Sequence, residues 1–442
     1  MKKITILLSL LILSSTMLFA QEDTTKTDEK VKKGFSFGGV PVVAYDSDVG
    51  FKYGLLANIY HYGDGSRYPA YDHSLYLEWS RTTKGNGANI LKYDSERLIP
   101  NIRTTLEASY RTEKALNFYG FNGYNAHYDA KYEDEQDADY ISRAFYRYER
   151  NVVRLKADFQ GNIIGKKLRW IGGLTYMGSE IATVDIDQLN EGKDEADLLP
   201  DVPGLYDNYV DWGVISQTEK DGGNVTLLKT GVVFDTRDNE PNPNSGMWTE
   251  ALFLVAPSFM GDYEKTGTAL ILIHRQYFSI FPKKMTFAYR LSYQTKTGGN
   301  IPFYLLPYLY DSYDIRDGLG GAKTMRGILR NRIVGDGMAF GNFEFRWKVL
   351  QTSVFNQNFY IALSAFTDMG RVVDPYKQDL SGVPTAEREL WFNNAPEAWH
   401  ISYGAGVHFA LNDNFIIAVD YGMAAQIEDG TSGIYIGLNF LY

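Results

Sequence analysis

The chain has 442 residues, no cysteine, 15% aromatic residues and a formal net charge of −10. The negative balance argues against nucleic acid as a partner, and the missing cysteine excludes disulfides and a lipid-modified N-terminal cysteine. Thirty-three Tyr, 25 Phe and 42 Gly make a strand-and-turn composition, not that of the two or three soluble domains suggested by length alone.

Residues 1–20 read as a signal peptide. Lys2 and Lys3 form the charged start, Ile4 to Leu13 the apolar run, and the cut is expected after Ala20. Leu18 is large for its position, so the cut site stays open. Residues 21–33 are polar, lack apolar periodicity and read as a disordered linker. No helix-length apolar run follows residue 20, so no transmembrane helix is expected. A barrel remains open, because a membrane-crossing strand needs only about ten alternating residues.

From Gly34 to Tyr442, strand-like segments follow one another. The predicted spans are 34–44, 49–62, 70–83, 87–98, 102–113, 142–160, 167–178, 224–236, 247–256, 265–280, 285–297, 336–349, 357–370, 399–411, 414–425 and 433–442. The even total of sixteen matches bacterial single-chain barrels. Alternation is strongest toward the end of the chain: Met285, Phe287, Tyr289 and Leu291 alternate with Thr286, Arg290 and Ser292. Ile434, Ile436, Leu438, Phe440 and Tyr442 are expected on one face of the last strand.

The connectors alternate too. Short ones include Gly63 to Arg67, Pro282-Lys283-Lys284 and Asn412-Asp413-Asn414; long ones cover about 114–141, 179–223, 298–335 and 371–398. Short turns at one end and long loops at the other fit an outer-membrane barrel. The acidic, Tyr-rich loops at Glu133 to Asp139 and Asp185 to Asp211 read as solvated loops, with cation binding as the alternative. A soluble sandwich would also alternate. The signal peptide, the strand lengths and the aromatic end of the last strand weigh against it. The fold expected is therefore all-β: a 16-stranded antiparallel transmembrane β-barrel in the outer membrane of a Gram-negative cell, with lipid as its surroundings.

The stretch Gly318–Trp347 holds the most information. A glycine-rich loop carries Arg326-Gly327 and is followed by a strand with Phe343, Phe345 and Trp347 on one face. Parity puts Asn342, Glu344, Arg346 and Lys348 on the lumen face. On the next strand, Phe366-Thr367-Asp368-Met369-Gly370 turns Asp368 inward. A long sixth loop folded into the lumen would bring Arg326 to both carboxylates, where its guanidinium can serve two acceptors. Spacing alone leaves a second reading open, an unconnected Arg with acids that only line water.

Met325-Arg326-Gly327-Ile328 resembles the sixth-loop motif of the BamA/TamA superfamily, the bacterial surface antigen barrels. Gly341-Asn342-Phe343-Glu344-Phe345-Arg346 and Phe366-Thr367-Asp368-Met369-Gly370 resemble its next two motifs. Asp235-Thr236-Arg237-Asp238 with Pro243 and Gly246 is similar to its turn motif. The resemblance covers about residues 34–442. It implies that Arg326 and Gly327 lock the sixth loop in the lumen through Glu344 and Asp368. Ile328 stands where the motif usually has an aromatic residue. Assembling and secreting members carry POTRA domains before the barrel; here the expectation is a member lacking them, because only Gln21 to Lys33 is available.

The first strand contains Gly38, Gly39 and Pro41 and must meet the last strand to close the barrel. Pro41 lacks a ladder donor. A weak seam that opens laterally and a proline near a strand end are both consistent with this. Phe440 and Tyr442 look like the terminal aromatic signal for barrel insertion. The six His residues show no metal-ligand spacing and no nucleophile set is visible. The expectation is thus a non-enzymatic barrel without metal or cofactor. Its expected role is outer-membrane biogenesis or protein translocation, with periplasmic or outer-membrane assembly proteins as partners. A passive pore, or a surface-exposed structural subunit of a larger complex, is the alternative.

Overall fold

The computed structural model describes residues 33–46, 50–67, 71–195, 198–239, 242–282, 284–354, 357–392, 395–411, 415–438 and 440–442. The expected signal peptide, nearly all of the linker and the turn at 412–414 lie outside the described residues.

Sixteen strands close into one antiparallel barrel in chain order. The first five are β1 (Phe35–Asp46), β2 (Gly50–His61), β3 (His73–Thr82), β4 (Gly87–Ile99) and β5 (Ile102–Asn117). The next six are β6 (Arg147–Ile164), β7 (Leu168–Ala182), β8 (Gly222–Asp235), β9 (Gly246–Ala256), β10 (Gly267–Phe281) and β11 (Met285–Gly298). The last five are β12 (Gly337–Val354), β13 (Gln357–Asp374), β14 (His400–Leu411), β15 (Phe415–Ala424) and β16 (Ser432–Leu438). Alternation decides the faces. Leu55, Leu77, Leu91, Phe253, Leu272 and Leu363 point out, while Glu107, Arg154, Asp158, Arg290, Asn342 and Asp368 are buried within. Outward apolar and inward polar residues with period 2 are what a strand needs between lipid and an occupied lumen. Among the described residues no helix is long and apolar enough to cross a membrane.

The long connectors all lie at one end. Residues 118–146, 183–195, 198–221, 375–392 and 395–399 fold over the mouth into a lid with an aromatic core. Tyr209 is central: its ring lies 5.1 Å from Phe118 and 5.1 Å from Phe392. Phe145 packs on Trp391 at 5.2 Å. Asn122 and Tyr376 clamp two of these loops through reciprocal hydrogen bonds of 2.9 and 2.7 Å. Short helices, Leu205–Asp211 and Thr385–Trp391, carry part of this core. Neither shows a helical period in the sequence, because each has only about two turns.

The sixth loop, residues 299–336, drops into the barrel and fills much of it. Its base forms a small hairpin of Leu309–Tyr310 with Ile315–Arg316. Leu319, Met325, Ile328 and Ile333 are fully buried in a cluster with Met338, Phe340 and Val372 of the wall. Ile328 therefore packs in place of the motif's aromatic ring.

Several strand expectations need correction. The sixth strand runs Arg147–Ile164, not 142–160, because residues 143–146 form a turn in the lid. β12 and β13 are 18 residues each, longer than expected, with a register shift between Lys348 and Leu350. The last strand ends at Leu438, not at Tyr442. Phe440 is buried and Tyr442 partly buried, and both turn into the lumen instead of continuing the outward face. The cause is the pair Arg346 and Arg290. Phe440 covers the Arg346 guanidinium at 4.0 Å, and the Tyr442 ring lies 5.2 Å from that of Arg290. Tyr442 Oη also donates to the Ala288 and Asn342 carbonyl oxygens at 3.0 and 3.2 Å.

Candidate functional site: the loop lock, the seam and the lower turn

Arg326 sits at the tip of the sixth loop, 1% exposed. Its backbone N–H and Nε donate to Asp368 Oδ2 at 3.0 and 3.1 Å, and Nη2 donates to Oδ1 at 3.3 Å. Nη1 donates to Glu344 Oε2 at 2.9 Å and to Asp420 Oδ2 at 3.2 Å. The guanidinium carbon stands 3.4 Å over the Phe366 ring. One cation thus meets three carboxylates from β12, β13 and β15, in a planar fork that a lysine has no way to reproduce. Glu344 is shared: its Oε1 accepts from Arg346 Nε at 2.7 Å. Asn342 completes the set, donating to Asp368 Oδ1 at 2.8 Å and to the Thr324 carbonyl at 2.6 Å.

Gly327 has φ +93°, a conformation L side chains rarely adopt. It also lies flat against β15: a Cβ there would stand 2.5 Å from the Gly422 carbonyl carbon. Its N–H donates to Tyr435 Oη on β16 at 3.0 Å.

A second anchorage holds the base of the loop to β6, β9 and β10. Asp311 accepts from Arg316 at 2.5 Å and from Arg275 of β10 at 3.2 Å. Burial alone would raise the Asp311 carboxyl; the Arg316 and Arg275 charges reverse this and hold it well below its ordinary value. Glu250 of β9 accepts the Ser312 N–H at 2.7 Å. Lys156 of β6 donates to the Tyr313 carbonyl at 2.6 Å. Higher up, Asp317 binds Arg150 at 2.8 Å and Arg330 at 2.5 Å.

The turn motif closes the end opposite the lid. Asp235 accepts from the Arg237 N–H at 3.1 Å and from its Nε at 3.0 Å. Arg237 then lies 4.4 Å over the Trp248 ring. Asp238 Oδ1 takes the Asn244 and Ser245 N–H groups at 2.9 and 3.2 Å. Pro243 is buried. Gly246 has φ +93°, and a Cβ there would meet the Thr236 carbonyl oxygen at 2.2 Å. Between these, Asn242 reaches across the lumen to Tyr360 Oη at 2.9 Å.

At the seam, β1 pairs with β2 along its whole length, from Phe35↔His61 to Asp46↔Gly50. Among the described residues it pairs with β16 at Tyr45↔Ile436 and Asp46↔Tyr435. Pro41 lies mid-strand opposite Leu55, in the part of β1 that has no β16 partner among the described residues. Proline is tolerated at such an edge because no donor is required of it.

The Omp85 superfamily domain matches residues 74–440. The chain belongs to the Omp85 superfamily. Two solved structures share the fold. BamA from Haemophilus ducreyi lacking POTRA domains 1–3 aligns over 98% of this chain and 78% of its own, with 14% identity and a TM-score of 0.54. CdiB from Escherichia coli aligns over 92% of this chain and 62% of its own, less than two thirds of its length, with 9% identity and a TM-score of 0.53. No curated protein matches. As an Omp85 barrel the protein resides in the outer membrane, surrounded by lipid on its apolar face.

The Omp85 motifs fall at three places: the tip lock, the lower turn and the strands that flank the loop. Arg326, Gly327, Glu344 and Asp368 come together. Asp235, Arg237, Asp238, Pro243 and Gly246 form a separate cluster. Pro41 is on β1, whereas Phe440 and Tyr442 have left the wall, so the three seam residues do not meet as one ladder. Sequence reasoning missed Asp420, Phe366, Tyr435 and the whole Asp311 anchorage. Asp420 and Phe366 share the inward parity of Asp368, which places them in the lumen without setting them apart from other lumen-facing residues.

Proposed function

We propose that this Omp85 barrel inserts or translocates proteins at the outer membrane, with the β1–β16 seam as its lateral route. The observation that carries this is the seam itself, where the described residues of β1 and β16 pair at two positions while β1 and β2 are paired throughout. An edge whose backbone groups lack ladder partners favours pairing with another strand. The two loop anchorages fit the same reading, because they keep the lumen filled while the wall parts. The reading assigns no catalytic step and takes periplasmic or outer-membrane assembly proteins as partners. A passive pore fits less well, since the lid and sixth loop obstruct the axis.

The test is depletion in cells. Loss of the protein is expected to lower the level of several other outer-membrane barrels or of a secreted client. Unchanged levels of both would overturn the proposal.

A further inference from the structure

The outer wall carries a slot that neither the seam nor the loop lock uses. On β4, Gly87, Asn89 and Leu91 point outward in one column. Register places each between larger neighbours on β3 and β5: Asn89 between Trp79 and Tyr110, and Gly87 between Arg81 and Thr112. One row further from the loop end, Leu91 lies between Leu77 and Ala108. Strands two places apart are about 10 Å apart at the backbone, and two rings narrow that gap to the width of one hydrocarbon chain. This column lies within a wider concavity of about 600 Å³ that runs from β2 to β6 and includes Leu55, Leu77, Trp79, Leu91, Tyr110 and Leu155 in its lining.

The head of the slot is chemically different. Arg81 is the next-to-last residue of β3, at the end of the barrel that carries the long loops. Its guanidinium carbon lies 5.2 Å from the Trp79 ring centre. It donates to neutral oxygens: the Ser80 carbonyl at 2.7 Å, and the Ala88 carbonyl and Asn89 Oδ1 at 3.5 Å. A Cβ on Gly87 would meet Thr112 Oγ1 at 2.8 Å and Arg81 Nη1 at 3.0 Å, so a cation and a hydroxyl converge above the glycine. The Lys114 stem packs against the adjoining turn, 3.3 Å from the position a Gly85 Cβ would take, and its ammonium is held by Glu149 at 3.0 Å, which leaves Arg81 as the cation for a ligand. An apolar slot in the hydrocarbon belt, framed by two amphipathic rings and topped by a cation and a hydroxyl, complements a lipid with an anionic head.

We propose that this slot binds one acyl chain of lipid A, the phosphorylated glycolipid of the outer leaflet, with a phosphate on Arg81 and Thr112. The long-loop end of an outer-membrane barrel faces outside, which selects the outer-leaflet lipid over inner-leaflet phospholipid.

The test is native mass spectrometry of the barrel in mild detergent, offered lipid A and phosphatidylethanolamine in equal amounts. The wild type is expected to retain one lipid A. Arg81→Glu removes the phosphate contact and Asn89→Phe fills the slot with an apolar ring that the lipid face accepts. Each is expected to lower retention at least tenfold, with heat-dependent gel mobility unchanged as the folding control. Retention of phosphatidylethanolamine at the same level, absence of lipid A on the wild type, or undiminished retention by either folded variant would overturn the proposal.

Discussion

Asp368 holds Arg326 by main chain and side chain at once. The Asp368 Oδ2 atom accepts from both the Arg326 N–H at 3.0 Å and Nε at 3.1 Å. The guanidinium therefore has no freedom to swing away unless the loop backbone moves with it. This couples the ion pair to the position of the whole loop tip.

Arg326→Ala leaves Asp368, Glu344 and Asp420 facing one another in a buried space. Breaking a buried pair in this way costs about 3–5 kcal/mol. The expected outcome is a lower unfolding midpoint, read by heat-dependent gel mobility. Glu344→Gln in the same background is expected to be non-additive, with a coupling of about 1–3 kcal/mol. Simple addition of the two effects would deny the shared contact.

Gly327→Ala tests the close approach to β15. The new Cβ meets the Gly422 carbonyl carbon at 2.5 Å and needs φ +93°, so the loop tip must move. A loss of about 1–3 kcal/mol is expected in urea unfolding, by the usual cost of such backbone strain. Gly437→Ala is the control: nothing lies within 4 Å of its Cβ position, and its midpoint is expected to stay unchanged.

The two anchorages of the sixth loop bind different strands, β6, β9 and β10 for one and β12, β13 and β15 for the other. Asp311→Asn alone leaves the Arg326 lock in place, and Arg326→Ala alone leaves the Asp311 set. Each single variant is expected to keep a low conductance in planar bilayers. The double variant is expected to free the loop and raise conductance well above either, a result greater than the sum of the two singles.

Strand count and loop order were legible because a wall between lipid and a polar lumen imposes period 2 on every strand. Parity alone turned Glu344 and Asp368 inward, and a long glycine-containing loop made their meeting with Arg326 possible. The same parity turned Asp420 inward, yet nothing local distinguishes it from an acid lining water. Its role depends on how far the loop tip reaches, which sequence spacing does not determine. Phe440 and Tyr442 were misplaced for a related reason. They continue the alternation of β16, and only the buried cations Arg346 and Arg290, distant in sequence, draw them inside. The Asp311 set escaped notice because its partners come from β9 and β10 and carry no motif.

That inward turn is itself testable. Tyr442→Phe removes a hydroxyl that bonds the Ala288 and Asn342 carbonyl oxygens. A loss of about 1 kcal/mol is expected. Phe440→Ala removes a buried ring in contact with Arg346 and His408 and is expected to cost about 3 kcal/mol or more. Both are read from urea midpoints; an unchanged midpoint for Phe440→Ala would place that ring outside the lumen.

The proposed role stands most directly on the seam. Tyr45 and Ile436 are paired across it, at a separation suited to a disulfide, and the chain has no other cysteine to interfere. Tyr45→Cys with Ile436→Cys, oxidised in cells, is expected to stop delivery of client barrels or secreted protein, and reduction is expected to restore it. Full client levels with the seam demonstrably crosslinked would contradict lateral opening.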